Sequence, residues 1–161
     1  MKITFIQTGG TIDKDYPKVT KGWAFEFGEP AIQRIMDKLE PAFEYKIVTA
    51  CQKDSSQLLK KDLDKIANLI RHDNGVKFII THGTDTMIQT ALYLNKVVKD
   101  KLVIITGAIR PERFSNSDAP INLGSAIAAA NLLEKGIYIT MHGVVKSHLD
   151  INRNLETGKF F

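Results

Sequence analysis

The sequence is poor in cysteine and has no long apolar run. Cys51 is the only cysteine among 161 residues, so the chain cannot form an internal disulfide or a metal site made of paired cysteines. We expect this side chain to act as a small apolar filler. Nothing approaches the roughly 20 apolar residues of a membrane span, and residues 1–7 become polar too soon for a signal peptide. These absences predict a protein of the reducing cytoplasm that makes no contact with a membrane.

A large excess of one charge is also missing. Lysine and arginine number 22 and aspartate and glutamate 18, which gives a net charge of +4. The basic residues alternate with acids, as in residues 60–65, and form no stripe with interleaved aromatic side chains. This pattern predicts a solvated helix face and no nucleic-acid partner. His72, His142 and His148 have no carboxylate or cysteine at metal-ligand spacing, so we expect no metal site.

Apolar segments of strand length alternate with segments of helical period along the chain. The strands are predicted at residues 2–8, 44–50, 76–81, 101–106 and 137–141, and the helices from about 29 to 40, at 58–71, around 88–98 and at about 121–134. Such alternation predicts right-handed βαβ crossovers. The expected fold is therefore α/β: one three-layer αβα domain of the flavodoxin or Rossmann type, with a mostly parallel sheet, over residues 1–161.

Two segments have no clean period. Residues 12–28 contain four aromatic side chains and two glycines, and we interpret them as a long loop that closes over a site. The tail, residues 142–161, ends in Phe160 and Phe161. We expect these aromatics to be exposed anchors of a subunit interface, with the alanine-rich fourth helix as a second packing face. The alternative is that both rings fold back onto their own core.

Two turns that follow predicted strands offer hydroxyl side chains. Residues 8–11 (TGGT) follow the first strand, and residues 82–85 (HGTD) follow the third. Ligands bind at the carboxyl ends of the strands in open α/β sheets, so we expect both turns to line one site. Each turn also has a purely structural explanation. The glycines can serve a tight turn with positive φ, and Thr84 or Asp85 can cap the following helix.

The functional interpretation of these turns is nucleophilic chemistry. A threonine hydroxyl becomes a useful nucleophile when a neighbouring group removes its proton and donors stabilise the oxyanion that forms. Glycine-rich turns leave backbone N–H groups free to act as such donors. Neither G-x-G-x-x-G nor G-x-x-x-x-G-K-[ST] occurs in the chain, which argues against a nucleotide-binding loop.

The segments TGGTI at 8–12 and HGTDTM at 82–87 resemble two signature motifs of the bacterial-type L-asparaginase/glutaminase family. The segment GAIRP at 107–111, followed by DAPINL at 118–123, resembles a third block of that family. The blocks stand in the family's order, and the resemblance extends over nearly the whole chain. It implies hydrolysis of the side-chain amide of L-asparagine, and often of glutamine, through an acyl-threonine intermediate without a metal or cofactor.

The resemblance also implies roles for single residues. Thr11 matches the usual nucleophile, and Thr84 matches the second catalytic threonine. Asp85 matches the residue that binds the substrate α-amino group, and Ser55 the serine that binds its α-carboxylate. Tyr16, in the loop after Thr11, is the candidate for the tyrosine that assists the nucleophile. The other substrate-binding residues that these segments imply are Gly10, Ser56 and Gly83.

Two departures from the family pattern bear on function. The usual member has a second, C-terminal domain that helps to complete the site of a neighbouring subunit. This chain resembles the short, single-domain members, and we expect it to form a homo-oligomer, most simply a dimer. The family's catalytic lysine aligns with Arg153, which stays protonated and cannot act as a general base. Lys146 is the candidate to replace that lysine.

Three hypotheses follow from different classes of function. The first is an amidohydrolase acting on L-asparagine, which the presence of Thr11, Thr84 and Asp85 favours. The second is a catalytically weak relative that binds asparagine or aspartate or serves in a larger amidotransferase, which Arg153 favours. The third, a flavodoxin-like nucleotide binder, has only the fold class behind it.

Overall fold

Strands and helices alternate along the chain in the computed structural model, which describes residues 1–18 and 25–161. The strands are β1 (Lys2–Gly9), β2 (Lys14–Asp15), β3 (Glu26–Phe27), β4 (Glu44–Lys53), β5 (Lys77–Thr81), β6 (Leu102–Thr106), β7 (Gly136–Met141) and β8 (Val144–Ser147). The α-helices are α1 (Ala31–Leu39), α2 (Lys60–His72), α3 (Met87–Val97) and α4 (Ala119–Leu132). Single 3-10 turns cover Thr11–Asp13 and Ser55–Gln57.

The main sheet has six strands in the order β4-β1-β5-β6-β7-β8. Every neighbouring pair is parallel except β7 with β8, which is antiparallel. The predicted α/β fold with a mostly parallel sheet is thus confirmed. From β1 the chain first moves outward to β4 and then returns to β5 on the other side, so the direction of winding reverses between β1 and β5. The crevice at the carboxyl ends of these two strands is where such sheets bind ligands.

Apolar side chains cover both faces of the sheet, as the three-layer prediction requires. On one face, α2 and α3 pack through residues such as Ile66 and Leu94 against Phe78 and Ile80 of β5. On the other face, α1 and α4 bury a separate cluster that includes Ile79 of the same strand. Successive residues of β5 therefore supply opposite cores, because side chains alternate along a strand. The strand is fixed on both sides, and so is the turn that follows it.

Local signals set the ends of the helices. Proline is compatible with a helix start, and Pro30 precedes Ala31 at the start of α1. Glu40 ends α1 in the left-handed conformation (φ 48), where its N–H donates to Met36 O at 3.0 Å. In α4, Pro120 lies in the first turn, two residues beyond Asp118. This helix begins slightly before the predicted residue 121.

The tail departs from its expected exposure. Phe160 is 3% exposed and packs in the core cluster on the α2–α3 face. The expectation of an exposed anchor at Phe160 is therefore wrong, and the alternative of folding back onto the core holds for this ring. Phe161 remains 54% exposed. Ala126 and Ala130 of α4 are also buried in the core, so these alanines do not offer the second packing face expected of that helix.

Three further differences concern one longer strand and the strands that were not predicted. β4 continues to Lys53, beyond the predicted end at residue 50. β8 lies within the tail for which no element was predicted. The segment predicted as a loop, residues 12–28, contains the short antiparallel pair β2–β3, which we call the stem. Residues 19–24 of that predicted loop lie outside the described residues. No helix in the described ranges is long and apolar enough to cross a membrane.

Candidate functional site

The turn after β1 approaches a neighbouring turn so closely that only glycine fits. Gly10 has a φ of 80°, and a methyl group on it would lie 2.4 Å from Gly83 N. Its N–H donates to Lys53 O at 2.9 Å. The structural explanation for this turn, a requirement for positive φ, is therefore correct. The same contact also places Thr11 beside the turn that carries Thr84.

The turn after β5 lies against Ser55. A methyl group on Gly83 would lie 2.7 Å from Ser55 Oγ. The Thr86 hydroxyl donates to Ser55 O at 2.9 Å, and Thr86 N–H to Ser55 Oγ at 3.3 Å. Thr86 occupies the N-cap position of α3 without a side-chain cap, so the interpretation of Thr84 or Asp85 as the cap is wrong. Neither residue is therefore needed as the cap of α3.

Three turns thus meet at the switch between β1 and β5. They follow β1, β4 and β5 and bring together the predicted site residues Gly10, Thr11, Ser55, Gly83, Thr84 and Asp85. Ser55 is buried, whereas its neighbour Ser56 is exposed. Hydroxyl groups, a carboxylate and glycine-flanked backbone therefore share one edge of the sheet. Among the described residues no group of histidine, cysteine, aspartate and glutamate could hold a metal ion.

His82 is a buried polar residue whose role sequence reasoning did not identify. Nδ1 lies 2.6 Å from Gly83 O, and Nε2 lies 2.9 Å from the Thr90 hydroxyl. Because the carbonyl can only accept, Nδ1 carries the hydrogen, and neutral Nε2 accepts from Thr90. Burial lowers the pKa of His82 to about 4, so the ring is neutral at ordinary pH. It fixes the orientation of the Gly83–Thr84 peptide.

Asp13 is the second buried polar residue that sequence reasoning did not single out. It is fully buried two residues after Thr11, and its Oδ1 accepts the Ala31 N–H at 2.8 Å. Its Oδ2 is buried without a hydrogen-bond partner in the described part of the chain. Burial raises the pKa of Asp13 to about 6, against the opposing effect of the Ala31 N–H. A carboxyl group therefore anchors the Thr11 turn to the start of α1.

Arg153 occupies the space beside Asp85. Its Nη1 donates to Thr84 O at 3.0 Å and to Asp85 Oδ1 at 3.2 Å. Its Nε donates to Gly158 O, and its guanidinium lies 5.3 Å from the centre of the Phe160 ring. The buried ring explains how the tail brings Arg153 to this edge. The guanidinium contacts the backbone of Thr84, with no hydrogen bond to the Thr84 hydroxyl within the described ranges.

Lys146 and Tyr16 lie farther from this contact network. Lys146 is exposed on β8 opposite Ile139, and no hydrogen bond or ion pair of the described residues joins it to Thr84 or Asp85. Tyr16 is 67% exposed, and its ring packs against Phe25 and Phe114 at centroid distances of 5.1 and 6.2 Å. The catalytic roles expected of both residues stay predictions.

The third block shapes the loop after β6. The carboxylate of Asp118 accepts the N–H groups of Ile109 and Arg110 at 3.0–3.1 Å. The Asn122 side-chain amide donates to Gly107 O at 3.0 Å and to Asp118 at 2.8 Å. These bonds hold the loop, residues 107–118, against the start of α4. The block is therefore structural in this region and forms one side of the site.

Comparisons with known proteins agree with this arrangement. The family model described as "Asparaginase, N-terminal" matches residues 2–157. A glutaminase-asparaginase of Acinetobacter glutaminasificans is 29% identical over 171 residues, which cover 98% of this chain and 52% of that protein. A subunit of the glutamyl-tRNA(Gln) amidotransferase of Methanococcus vannielii is 32% identical over 147 residues, covering 89% of this chain and 34% of that protein.

Solved structures show the same relationship. A probable cytoplasmic L-asparaginase of Campylobacter jejuni is similar with a TM-score of 0.78 and 28% identity, covering 99% of this chain and 52% of that one. L-asparaginase I of Vibrio cholerae shares the fold with a TM-score of 0.84 at 24% identity, covering 99% and 50%. The chain spans about half the length of these relatives. It belongs to the asparaginase family, to whose N-terminal domain nearly all of its length corresponds.

Proposed function

We propose that the protein hydrolyses the side-chain amide of L-asparagine, or of L-glutamine, to the acid and ammonia. The observation that carries the proposal is the meeting of three turns at the switch point of the sheet. Those turns present Thr11, Thr84, Asp85 and Ser55 at one edge, where α/β folds bind small ligands. The shared family adds the chemistry, since its named members include glutaminase-asparaginases.

The proposed reaction proceeds through an ester on Thr11. The Thr11 hydroxyl attacks the carboxamide carbon, and the resulting oxyanion accepts hydrogen bonds from backbone N–H groups of the glycine-rich turns. The proton taken from the Thr11 hydroxyl passes to the leaving nitrogen, so that collapse of this intermediate expels ammonia and leaves the acyl-threonine. Water then attacks the ester, releases the acid and returns the proton to Thr11. No step requires a metal or a cofactor.

Substrate recognition follows from the other two turns. Asp85 offers a carboxylate for the α-ammonium group, and the hydroxyl groups of Ser55 and Ser56 would donate hydrogen bonds to the α-carboxylate. The His82 contact with Gly83 O fixes the Gly83–Thr84 peptide, which leads to Asp85. Preorganised groups of this kind contribute to catalysis because they need no reorientation when charge develops.

Arg153 changes how the nucleophile can be activated. A guanidinium stays charged at ordinary pH, so it can hold Asp85 and the Thr84 carbonyl but cannot take a proton from a threonine. The proton acceptor in this proposal is Tyr16, which would have to leave its contacts with Phe25 and Phe114, or Lys146 from β8. The Thr84 hydroxyl then serves as a hydrogen-bonding group.

A second function, a binding module of a larger amidotransferase, has one specific observation in its favour. Arg153 stands where the family places a catalytic lysine, and the chain is similar to a subunit of a glutamyl-tRNA(Gln) amidotransferase. This alternative predicts binding of aspartate or asparagine without appreciable turnover. It also predicts that the ion pair of Arg153 with Asp85 serves ligand binding alone.

Cytoplasmic location and assembly into a homo-oligomer complete the proposal. One similar structure is named a probable cytoplasmic asparaginase, while a relative from Haemophilus influenzae is named a probable periplasmic one. Bulk water weakens electrostatic stabilisation, and a twofold dimer would shield the open edge of the site from it. Sedimentation at micromolar concentration tests assembly, and a single active species of 18.0 kDa would contradict it.

Ammonia release decides between the two functions. Purified protein is incubated with L-asparagine or L-glutamine, and ammonia is followed by a coupled assay, while calorimetry measures aspartate binding. Turnover that Thr11→Val abolishes supports the hydrolase. Aspartate binding without turnover supports the binding module. The absence of both turnover and aspartate binding would contradict both functions.

A further inference from the structure

The Thr11 turn continues directly into the stem. Lys14 pairs with Phe27, and Asp15 pairs with Glu26, in the antiparallel ladder of β2 with β3. Gly28 N–H donates to Asp13 O at 3.0 Å and closes the base of this ladder. The stem therefore begins three residues after Thr11. Any shift of the stem is transmitted to the Thr11 backbone.

The first residue of the stem is paired to one side of the site. Lys14 Nζ lies 2.6 Å from Asp54 Oδ1, and its ammonium lies 5.7 Å from the centre of the Phe27 ring. The Lys14 side chain is 22% exposed and the Asp54 side chain 41% exposed, so the ammonium is partly shielded from water and the carboxylate is open to it. Asp54 immediately precedes Ser55. The contact thus joins the stem to the turn expected to receive the substrate α-carboxylate.

The second residue of the stem is paired to the other side. Asp15 Oδ2 lies 3.0 Å from Arg113 Nε, in the loop at residues 107–118. The neighbouring Phe114 ring packs against the rings of Tyr16 and Phe25. The same loop also contacts the Thr11 turn itself, because its Glu112 N–H donates to Ile12 O at 3.2 Å. Adjacent stem residues therefore bind opposite sides of the site.

We propose that Lys14 and Asp15 are positioning residues that hold the Thr11 turn between these two sides by ion pairs of opposite polarity. Consecutive strand residues point to opposite faces, and a slip of one residue exchanges those faces. A slip in one direction would bring Lys14 to the place of Asp15 beside Arg113, and a slip in the other direction would bring Asp15 to the place of Lys14 beside Asp54. Either contact would join like charges, so the polarity disfavours both neighbouring registers.

The proposal rests on the proposed function, in which Thr11 is the nucleophile. We infer that the charge pattern, in addition to the packing and backbone bonds of the turn, sets where Thr11 lies. Coulomb attraction across partly shielded pairs is modest, and juxtaposed like charges repel, so the arrangement of charges selects between alternative contacts. Inverting both contacts should consequently have a much larger effect than deleting one of them.

Transposing the two charges tests the claim. The double variant Lys14→Asp/Asp15→Lys keeps the net charge and the composition but places like charges at both sides. We expect kcat/KM to fall about tenfold to a hundredfold, since a misplacement of about 1 Å suffices for such a loss. We also expect the amide of Gly28 to exchange its hydrogen faster. Adding Asp54→Lys and Arg113→Asp restores opposite charges and should recover most of both losses.

A matched control lies at the far end of the sheet. Lys2 and Glu44 form an exposed pair at 3.8 Å near the amino end of β1, and the exchange Lys2→Glu/Glu44→Lys should leave kcat/KM and Gly28 exchange unchanged. Wild-type kcat/KM in the transposed variant would overturn the proposal. The proposal would also be overturned if the quadruple variant regained the wild-type exchange rate of the Gly28 amide without regaining kcat/KM.

The outcome for the proposed function is read separately. If the wild-type protein binds aspartate without hydrolysing amides, the hydrolase proposal fails, and aspartate affinity replaces kcat/KM as the readout. The transposed double variant should then bind aspartate more weakly, and the quadruple variant should regain the wild-type affinity. Unchanged affinity together with unchanged Gly28 exchange would overturn the role of the ion pairs independently of the catalytic question.

Discussion

The two glycine-rich turns of the site are held in different ways. In the turn after β5, His82 bonds Gly83 O within the turn and Thr90 in the following helix, so both ring nitrogens are satisfied. In the turn after β1, Asp13 has one satisfied oxygen, bonded to Ala31 at the start of α1. Its other supports come from other segments, through the backbone bonds of Gly10 N–H to Lys53 O and of Glu112 N–H to Ile12 O and through the ion pairs of Lys14 and Asp15.

This difference assigns the turns different mechanical roles. The turn with Thr84 and Asp85 is built into β5 and α3 and gives a fixed surface for substrate. The turn with Thr11 is linked to its neighbours partly through partly exposed ion pairs, so we expect changes of charge at Lys14 and Asp15 to shift it more than they shift the turn that His82 holds. An adjustable attachment of this kind is useful for a nucleophile when a loop opens to admit the substrate and closes before the reaction.

Exchanging each threonine for valine gives the largest expected effect. Thr11→Val should reduce kcat/KM by about a thousandfold or more, because a covalent nucleophile has no substitute. Thr84→Val should cost less, since Arg153 contacts the Thr84 carbonyl, which valine retains. Ammonia release measures both variants, and circular dichroism controls for folding. A Thr11 variant that keeps more than about a tenth of wild-type turnover would move the nucleophile to Thr84.

Adding a methyl group tests how closely the two turns approach. Gly10→Ala combines a left-handed φ of 80° with a contact of 2.4 Å to Gly83 N, so it should lower the free energy of unfolding by about 2–5 kcal/mol. Gly124→Ala in α4 meets nothing within 4 Å and should stabilise the protein by about 0.5–1 kcal/mol. Denaturant unfolding measures both. Equal stabilities would show that the turns separate easily.

Much of the fold could be predicted because its signals are local. The apolar run before Thr81 and the helical spacing after it located β5 and α3, and the two turns between strands and helices located the site edge. β8 escaped prediction because it is an edge strand, and its half-exposed residues carry no strong alternation. Its place depends on pairing with β7.

The missed site residues depend on contacts that a local pattern cannot encode. In the sequence, Asp13 is one acid in a polar segment and His82 is one member of the turn at 82–85, and only the folded chain brings Ala31 N–H to Asp13 and brings Gly83 O and Thr90 to His82. Phe160 looks exposed because it lies at the end of the chain, yet its N–H donates to His142 Nδ1 at 3.2 Å. In each case tertiary burial decides the role of the side chain.

The two buried ionisable groups predict opposing dependences of stability on pH. His82 has a folded pKa of about 4 against an ordinary 6.5, so its contribution is present above pH 6.5 and is lost as pH falls towards 4. Asp13 has a folded pKa of about 6 against an ordinary 3.8, so its contribution is present below pH 3.8 and is lost as pH rises through 6. Each change amounts to about 3 kcal/mol, and the two nearly cancel.

Removing either ionisable group should reveal the pH dependence of stability that the other group causes. Relative to wild type, Asp13→Asn should lose about 3 kcal/mol of unfolding free energy as pH falls from about 6.5 to about 4, because His82 then acts alone. His82→Gln should show the reverse slope, with stability falling as pH rises from about 4 to about 6. Urea unfolding across this range measures both curves. Parallel curves for both variants and wild type would contradict the assignment.

The smallest expected effect separates the two partners of Asp85. In the proposed site this carboxylate receives the substrate ammonium, and in the structure it pairs with Arg153 while its side chain is 69% exposed. Asp85→Asn should weaken aspartate binding by about tenfold to a hundredfold, or about 1.5–3 kcal/mol, with exposure favouring the lower value. Arg153→Met is the control, because it leaves Asp85 in place and removes the competing cation together with its bonds to Thr84 O and Gly158 O. Its affinity for aspartate should change by less than that of Asp85→Asn, which calorimetry at matched ionic strength can resolve. Unchanged affinity in the Asp85 variant would reduce this carboxylate to an anchor for Arg153, and the second turn would then contribute shape rather than charge to the site.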